Sequence, residues 1–225
     1  MRPEDSRSQI EDFLRIEELR RQGKVRPVST SVTVRWGAAT PISSSFTFRW
    51  SDWKEDFPHV LVQCLVEPIS NAPEGSHIKL IAPAWEALHA ALSRNPDALF
   101  HLSSRQLEEL VAASYDQAGF DEVILTPRSG DFGRDVIASK GGWGSIRIID
   151  QVKAFSRGHL VDANDVRALL GVLQSDRGAT KGIVTTTSDF APRIVTDPFI
   201  APFLPFRLEL VNGGDLRNRI LSLTP

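Results

Sequence analysis

The run Ser145–Phe155 reads Ser-Ile-Arg-Ile-Ile-Asp-Gln-Val-Lys-Ala-Phe, a strand-length apolar stretch into which Asp150, Gln151 and Lys153 are set. Side chains two apart on a strand share a face, so Ile149, Gln151, Lys153 and Phe155 project one way and Ile148, Asp150, Val152 and Ala154 the other. Lysine is depleted in strand interiors and almost never fully buried without a partner. The face that carries Gln151 and Lys153 therefore needs a compensating group. The preceding strand, Asp135–Ser139, supplies one in Asp135, across the tight turn at Gly141-Gly142.

The surrounding pattern sets this hairpin in an α/β sheet. Ser103 followed by Gln106 is a capping-box signature, and Leu107, Leu110, Val111, Ser114 and Ala118 fall on one stripe of the helix it opens, which Gly119 stops. A strand at Val123–Thr126 precedes the hairpin. A helix at Ala163–Gln174, strands at Gly182–Thr186 and Arg207–Val211, and a helix at Gly214–Leu221 follow it. The order is αβββαβ with a further β-α, a mixed sheet with helices on its faces.

Upstream, Ile10, Phe13 and Leu14 predict an amphipathic helix ending near Gly23. Val28 to Trp50 then alternates as a β-hairpin whose arms, Ser31–Gly37 and Ser45–Ser51, echo each other. Alternation places Thr33, Arg35, Thr47 and Arg49 on the face opposite the Val/Phe/Trp set, either a phosphate-contacting surface or a plain solvated face. Strands are expected at His59–Val66 and His77–Ile81, and a helix at Ala84–Leu92. The breaker cluster Arg94-Asn95-Pro96-Asp97 then reads as a linker between a β-rich module, 1–95, and an α/β domain, 96–225.

Composition limits the rest. At 41% hydrophobic and 24% charged, 225 residues bury a real core, which excludes a disordered tail or a disulfide miniprotein. Lys and Arg number 26 against 28 Asp and Glu, so any positive surface for nucleic acid is local. Cys64 is the sole cysteine, which rules out an intrachain disulfide and a Cys-based zinc site, and it reads as a small buried hydrophobe. No segment approaches the roughly 20 apolar residues of a membrane span, so the expectation is a soluble, cytoplasmic protein with no membrane partner.

The hairpin also reads as a metal site. Asp135, the Gln151 amide oxygen and a carbonyl near Val152 are oxygen donors, the kind magnesium prefers, while Lys153 would orient or deprotonate a water. Asp150 is excluded by parity. On the helix before the hairpin, Glu108 lies roughly 100 degrees round from the buried stripe and Glu109 roughly 200 degrees. Glu109 then faces water, and Glu108 either leans over the sheet edge toward the metal or is an ordinary first-turn glutamate favoured by the helix dipole.

Leu107-Glu108-Glu109-Leu110-Val111, Gly119-Phe120, Gly130-Asp131-Phe132-Gly133-Arg134-Asp135, Gln151-Val152-Lys153, Gly182–Phe190 and Leu210–Leu216 together resemble the Mrr-like branch of the PD-(D/E)XK nucleases, the restriction-endonuclease superfamily, over about residues 99–223. The resemblance implies the restriction-endonuclease-like αβββαβ core and metal-dependent hydrolysis of DNA phosphodiesters, in restriction or defence against foreign DNA. It implies Asp135 as the metal-binding aspartate, Gln151 where many relatives have glutamate, Lys153 as the catalytic lysine, Glu108 as the supporting helix glutamate and Asp131 as a further acidic ligand. The cofactor would be Mg2+, with Mn2+ as a substitute.

A neutral amide at position 151 binds magnesium more weakly than a carboxylate, although glutamine is common there in the Mrr-like branch. The alternative is a catalytically silent nuclease fold used for DNA binding or assembly. DNA would be met by Arg134, Arg157 and His159 beside the site, and by Arg35 and Arg49 on the N-terminal hairpin. A double-strand break implies two active sites and hence a homodimer, and the N-terminal module would serve recognition or a protein partner. Gly141–Gly144 joins two strands and so lacks the helix of a phosphate loop. Thr185 to Ser188 end a strand where a hydroxyl would meet a phosphate, and strand propensity explains them equally well.

Overall fold

The structure, a computed structural model, describes residues 33–34, 46–47, 65–127 and 133–223. Thr33–Val34 (β1) and Phe46–Thr47 (β2) pair antiparallel, with Thr33 opposite Thr47, as the repeated arms of the N-terminal hairpin predict. Arg35, Arg49, Cys64 and Asp131 lie outside the described residues.

Seven strands form the main sheet in sequence order. They are Val66–Ala72 (β3), Gly75–Leu80 (β4), Glu122–Leu125 (β5), Val136–Lys140 (β6), Ile146–Lys153 (β7), Lys181–Thr186 (β8) and Leu208–Val211 (β9). Pairing is antiparallel from β3 to β7 and parallel across β7, β8 and β9. Among the described residues four α-helices accompany them: Ala82–Arg94 (α1), Ser104–Gln117 (α2), Ala163–Ser175 (α3) and Gly213–Ser222 (α4). The αβββαβ core runs from α2 to β8, and none of these helices is long and apolar enough to cross a membrane.

Alternation splits the core into two layers. Ile148, Val152, Ile183 and Val211 face a cluster with Leu107, Leu110 and Val111 of α2 and Leu216 and Ile220 of α4. Their neighbours Ile149, Val184 and Leu208 face a second cluster with Val166, Leu169 and Leu173 of α3. Both key helices begin on reciprocal capping boxes, Ser103 with Gln106 for α2 and Asp162 with Asp165 for α3. Gly119, at φ 78°, supplies the left-handed residue that turns the chain out of α2. Ala118, expected on the buried stripe, is exposed because the helix is already unwinding there.

The sheet continues across the linker expected at 94–97. β4 pairs with β5, setting Ser76 opposite Leu125, and Leu65, Ile78, Leu80, Trp85, Leu88 and Leu92 belong to the same core cluster as α2. Asn95 caps a short 3-10 turn, Pro96–His101, that buries Ala98 and Leu99. The breaker residues thus shape a corner inside one packed unit. The strand expected at His59–Val66 lies mostly outside the described residues, and β3 runs on from its last residue over Val66–Ala72.

Candidate active site

The register Val136 to Asp150, extended by one residue, sets Asp135 opposite Gln151. Asp135 enters β6 with its Oδ2 accepting the Val152 N–H at 2.7 Å, which pins the carboxylate over β7. Gln151 is buried, and its Oε1 is inaccessible and takes no hydrogen bond among the described residues. Gly133, at φ 77°, lets the chain pass close to it: a Cβ there would lie 3.4 Å from Gln151 Nε2 and 3.7 Å from Val172 of α3. Lys153 follows on the same face at the end of β7.

Lys153 is not held by Asp135. Its Nζ lies 3.1 Å from Asp165 Oδ1 in the first turn of α3, because β7 ends under that helix and Asp135 is engaged with the Val152 amide. Asp165 is a residue the sequence reading passed over. Its signal was the Asp162-Ala-Asn-Asp165 capping pattern that opens α3. The end of β7 is tied further by two threonines of the β8 terminus: Thr186 Oγ1 donates to the Lys153 carbonyl at 2.9 Å and Thr187 Oγ1 to the Phe155 carbonyl at 2.6 Å. These hydroxyls hold the backbone beside the lysine.

Glu108 approaches from α2 through Arg105. Arg105 Nη1 donates to Glu108 Oε2 at 2.9 Å and to the Thr126 carbonyl at 2.8 Å, and Thr126 in turn donates its N–H to the Asp135 carbonyl at 3.1 Å. Glu109 does not simply face water, since Arg105 Nε lies 3.4 Å from it and its side chain is 21% exposed. One arginine draws both glutamates to the sheet edge.

The DNA-contact candidates divide. Arg134 belongs to an ion cluster in which it and Arg147 meet Glu74, at 2.9 and 2.8 Å, beside Asp176, so its guanidinium braces the β3–β4 turn against α3. Arg157 is exposed, paired with Asp97, with its guanidinium 5.0 Å from the Phe100 ring centre. His159 is exposed and stacks on Phe155 with centroids 4.2 Å apart. Trp143, at the tip of the β6–β7 turn, is fully exposed at the opposite end of those strands from Lys153.

Asp150 sits on the other face, as parity requires. Its Oδ2 accepts from Tyr115 Oη at 2.8 Å and Thr185 Oγ1 at 3.0 Å. Burial pushes its carboxyl up to about 7, and the Asp135 charge adds to the rise against the pull of those two hydrogen bonds. Burial, then the Asp150 charge, pushes the Tyr115 hydroxyl well above its ordinary range.

The donors on the Asp135 face fit a hard divalent cation. An amide oxygen that is buried and takes no hydrogen bond among the described residues, and a carboxylate opposite it across the strand pair, are oxygen ligands, and a cation would supply Gln151 Oε1 with a partner. No three His, Cys, Asp or Glu side chains gather among the described residues, so the carboxylate count there is low.

No curated protein matches the chain. Two solved structures are similar to it. The MspJI restriction endonuclease in complex with a 27-mer oligonucleotide is 20% identical with a TM-score of 0.37, over 61% of this chain and 30% of that one. The DNA modification-dependent restriction endonuclease AspBHI is 17% identical with a TM-score of 0.38, over 61% of this chain and 34% of that one, so this chain matches about a third of either. The Mrr catalytic family model, described as a restriction endonuclease, matches residues 99–219, more than half of the chain and the span that holds α2, the β6–β7 hairpin and α3. On that match the chain belongs to the Mrr-type restriction endonuclease family.

Proposed function

We propose that the protein is a metal-dependent DNA endonuclease that hydrolyses phosphodiester bonds, with Asp135 and Gln151 holding Mg2+ or Mn2+ and Lys153 acting on the attacking water. The observation that carries this reading is the position of Asp135 opposite a buried Gln151, whose Oε1 takes no hydrogen bond among the described residues, on the face where Lys153 is anchored by Asp165. When bound, the cation would neutralise charge developing on the phosphate. Asp135 and Gln151 fix where the scissile phosphate is held. Lys153 Nζ has three donors, one of which serves Asp165, and the others orient a water in line with phosphorus. The water oxygen bonds to phosphorus as it releases one proton to solvent, the bond to the leaving sugar oxygen breaks, and that oxygen takes a proton from solvent. Asp131, two residues before Gly133 in the sequence, would complete the carboxylate set, with Glu108 supporting from α2.

The balanced charge makes the cation part of binding as well, since a carboxylate neutralised by a metal no longer repels DNA. Affinity for DNA in EDTA is expected to be weak and to fall steeply with salt. The family membership supports a role in restriction of foreign DNA, and a homodimer would supply the second site for a double-strand break. The test is cleavage of plasmid, methylated and single-stranded DNA with magnesium or manganese. Cutting is expected to vanish in EDTA and to drop at least about 100-fold in Asp135→Ala and Lys153→Ala. Full cleavage by both variants overturns the site.

A second reading, a silent nuclease fold used for binding, is favoured by the low carboxylate count and the amide at 151. Calorimetric titration separates the two: magnesium uptake that is lost in Asp135→Ala supports the enzyme, and no uptake by the unaltered protein supports the binding module.

A further inference from the structure

Behind the sheet from Lys153, α2 and α4 stand apart over β7, β8 and β9 and leave a cleft of about 300 Å3. Its walls are mainly apolar, with Phe120, Ile183 and Leu216 among them, and Tyr115, Asp150 and Thr185 converge on one wall. Asp150 is 2% exposed, in a layer that is otherwise Ile148, Val152, Ile183 and Val211. A carboxyl in such surroundings costs several kcal/mol unless it is paired and fully hydrogen-bonded.

Here the satisfaction is lopsided. Both hydroxyls donate to Oδ2, whereas Oδ1 has no partner among the described residues. The nearby cations do not complete it, because Lys181 and Arg219 at the cleft both pair with Glu209. Two donors converging on one oxygen make an acceptor site, and the second oxygen is left wanting an N–H or O–H donor. A mostly apolar cleft with a few convergent polar groups is the usual form of a small-molecule site.

We infer that this cleft is a second ligand site, for a small amphipathic amine whose ring or alkyl body fills the apolar walls and whose ammonium group completes Asp150. The site is distinct from the Asp135 face, since Asp150 and Gln151 are successive residues of β7 and project to opposite sides of the sheet. Asp150 Oδ1 is itself buried, so full seating requires a small outward shift of Tyr115, whose hydroxyl holds Oδ2 at 2.8 Å and whose ring meets Phe120 edge to face at 5.1 Å.

The test needs neither DNA nor metal, so it stands or falls apart from the nuclease reading. Tryptamine and 3-ethylindole, which share a ring system but differ in the ammonium group, are titrated into the full chain and followed by calorimetry and by amide NMR shifts. Tryptamine is expected to bind at least about tenfold more tightly, with shifts at Tyr115, Asp150 and Thr185. Asp150→Asn is expected to remove that preference. Ala118→Phe, placed at the exposed end of α2 where folding is not at stake, is expected to block both probes by filling the cleft. Equal affinity for the two probes, shifts elsewhere on the protein, or tryptamine binding unchanged in both variants overturns the inference.

Discussion

Two adjacent residues of β7 meet opposite fates, and the difference is chemical. Gln151 has a neutral acceptor that a cation can use, while Asp150 has an ionisable one that the core resists. Its folded pKa of about 7 against an ordinary 3.8 fixes the sign of a pH dependence. The native state holds the proton more tightly than the unfolded chain, so the stabilisation is complete below about pH 4 and is lost as pH rises through about 7. Asp150→Asn keeps an acceptor for Tyr115 and Thr185 but cannot ionise. We expect its unfolding temperature to change less than the wild type's between about pH 5 and about pH 8, with the variant relatively more stable at the higher pH. Thermal melts at both values check this, and parallel losses in the two proteins would refute it.

At the level of elements, the link from β7 to α3 decides whether Lys153 is usable. Asp165 is both the N3 residue of the α3 capping box and the partner of Lys153, so one side chain closes a helix and aims a lysine. The pair is about a quarter exposed on each side and contributes no more than about 1 kcal/mol to stability. Asp165→Ala loses the cap contact as well as the ion pair, so it should lower the melting temperature by about a few degrees while lowering kcat about tenfold or more, with KM for DNA little altered. A variant that cuts at the wild-type rate contradicts the assignment. The strands and helices themselves were legible in the sequence, because their apolar periods and capping residues are local: β7, α2 and α3 lie within a residue or two of their expected bounds. The parity that separated Gln151 from Asp150 was legible for the same reason. The partner of Lys153 and the engagement of Arg134 by Glu74 were not, since both depend on how distant elements dock and no periodicity encodes that.

For the molecule as a whole, the question is where the cooperative unit begins. The breaker cluster at 94–97 suggested an edge near residue 95, yet the hydrogen bonds from β4 to β5 and the side chains of Leu65, Ile78, Leu80, Trp85, Leu88 and Leu92 cross it. Buried apolar side chains contribute roughly 1.5 to 3 kcal/mol each, so these six together are worth on the order of 10 kcal/mol. That matches the entire net stability of an ordinary domain, about 5 to 15 kcal/mol. The ion cluster of Glu74 with Arg134 and Arg147 adds a polar clasp between the same two parts. A fragment of residues 96–225, although it holds every described residue of the candidate active site, would expose the edge of β5 and the apolar face of α2. We expect it to lack the cooperative thermal transition of the full chain and to aggregate. Trp85→Ala in the full chain probes the same boundary more gently and should cost about 3 to 5 kcal/mol, because the ring is fully buried against that shared core. A fragment that melts cooperatively with DNA cleavage intact, together with a silent Trp85→Ala, would put the boundary back at residue 95.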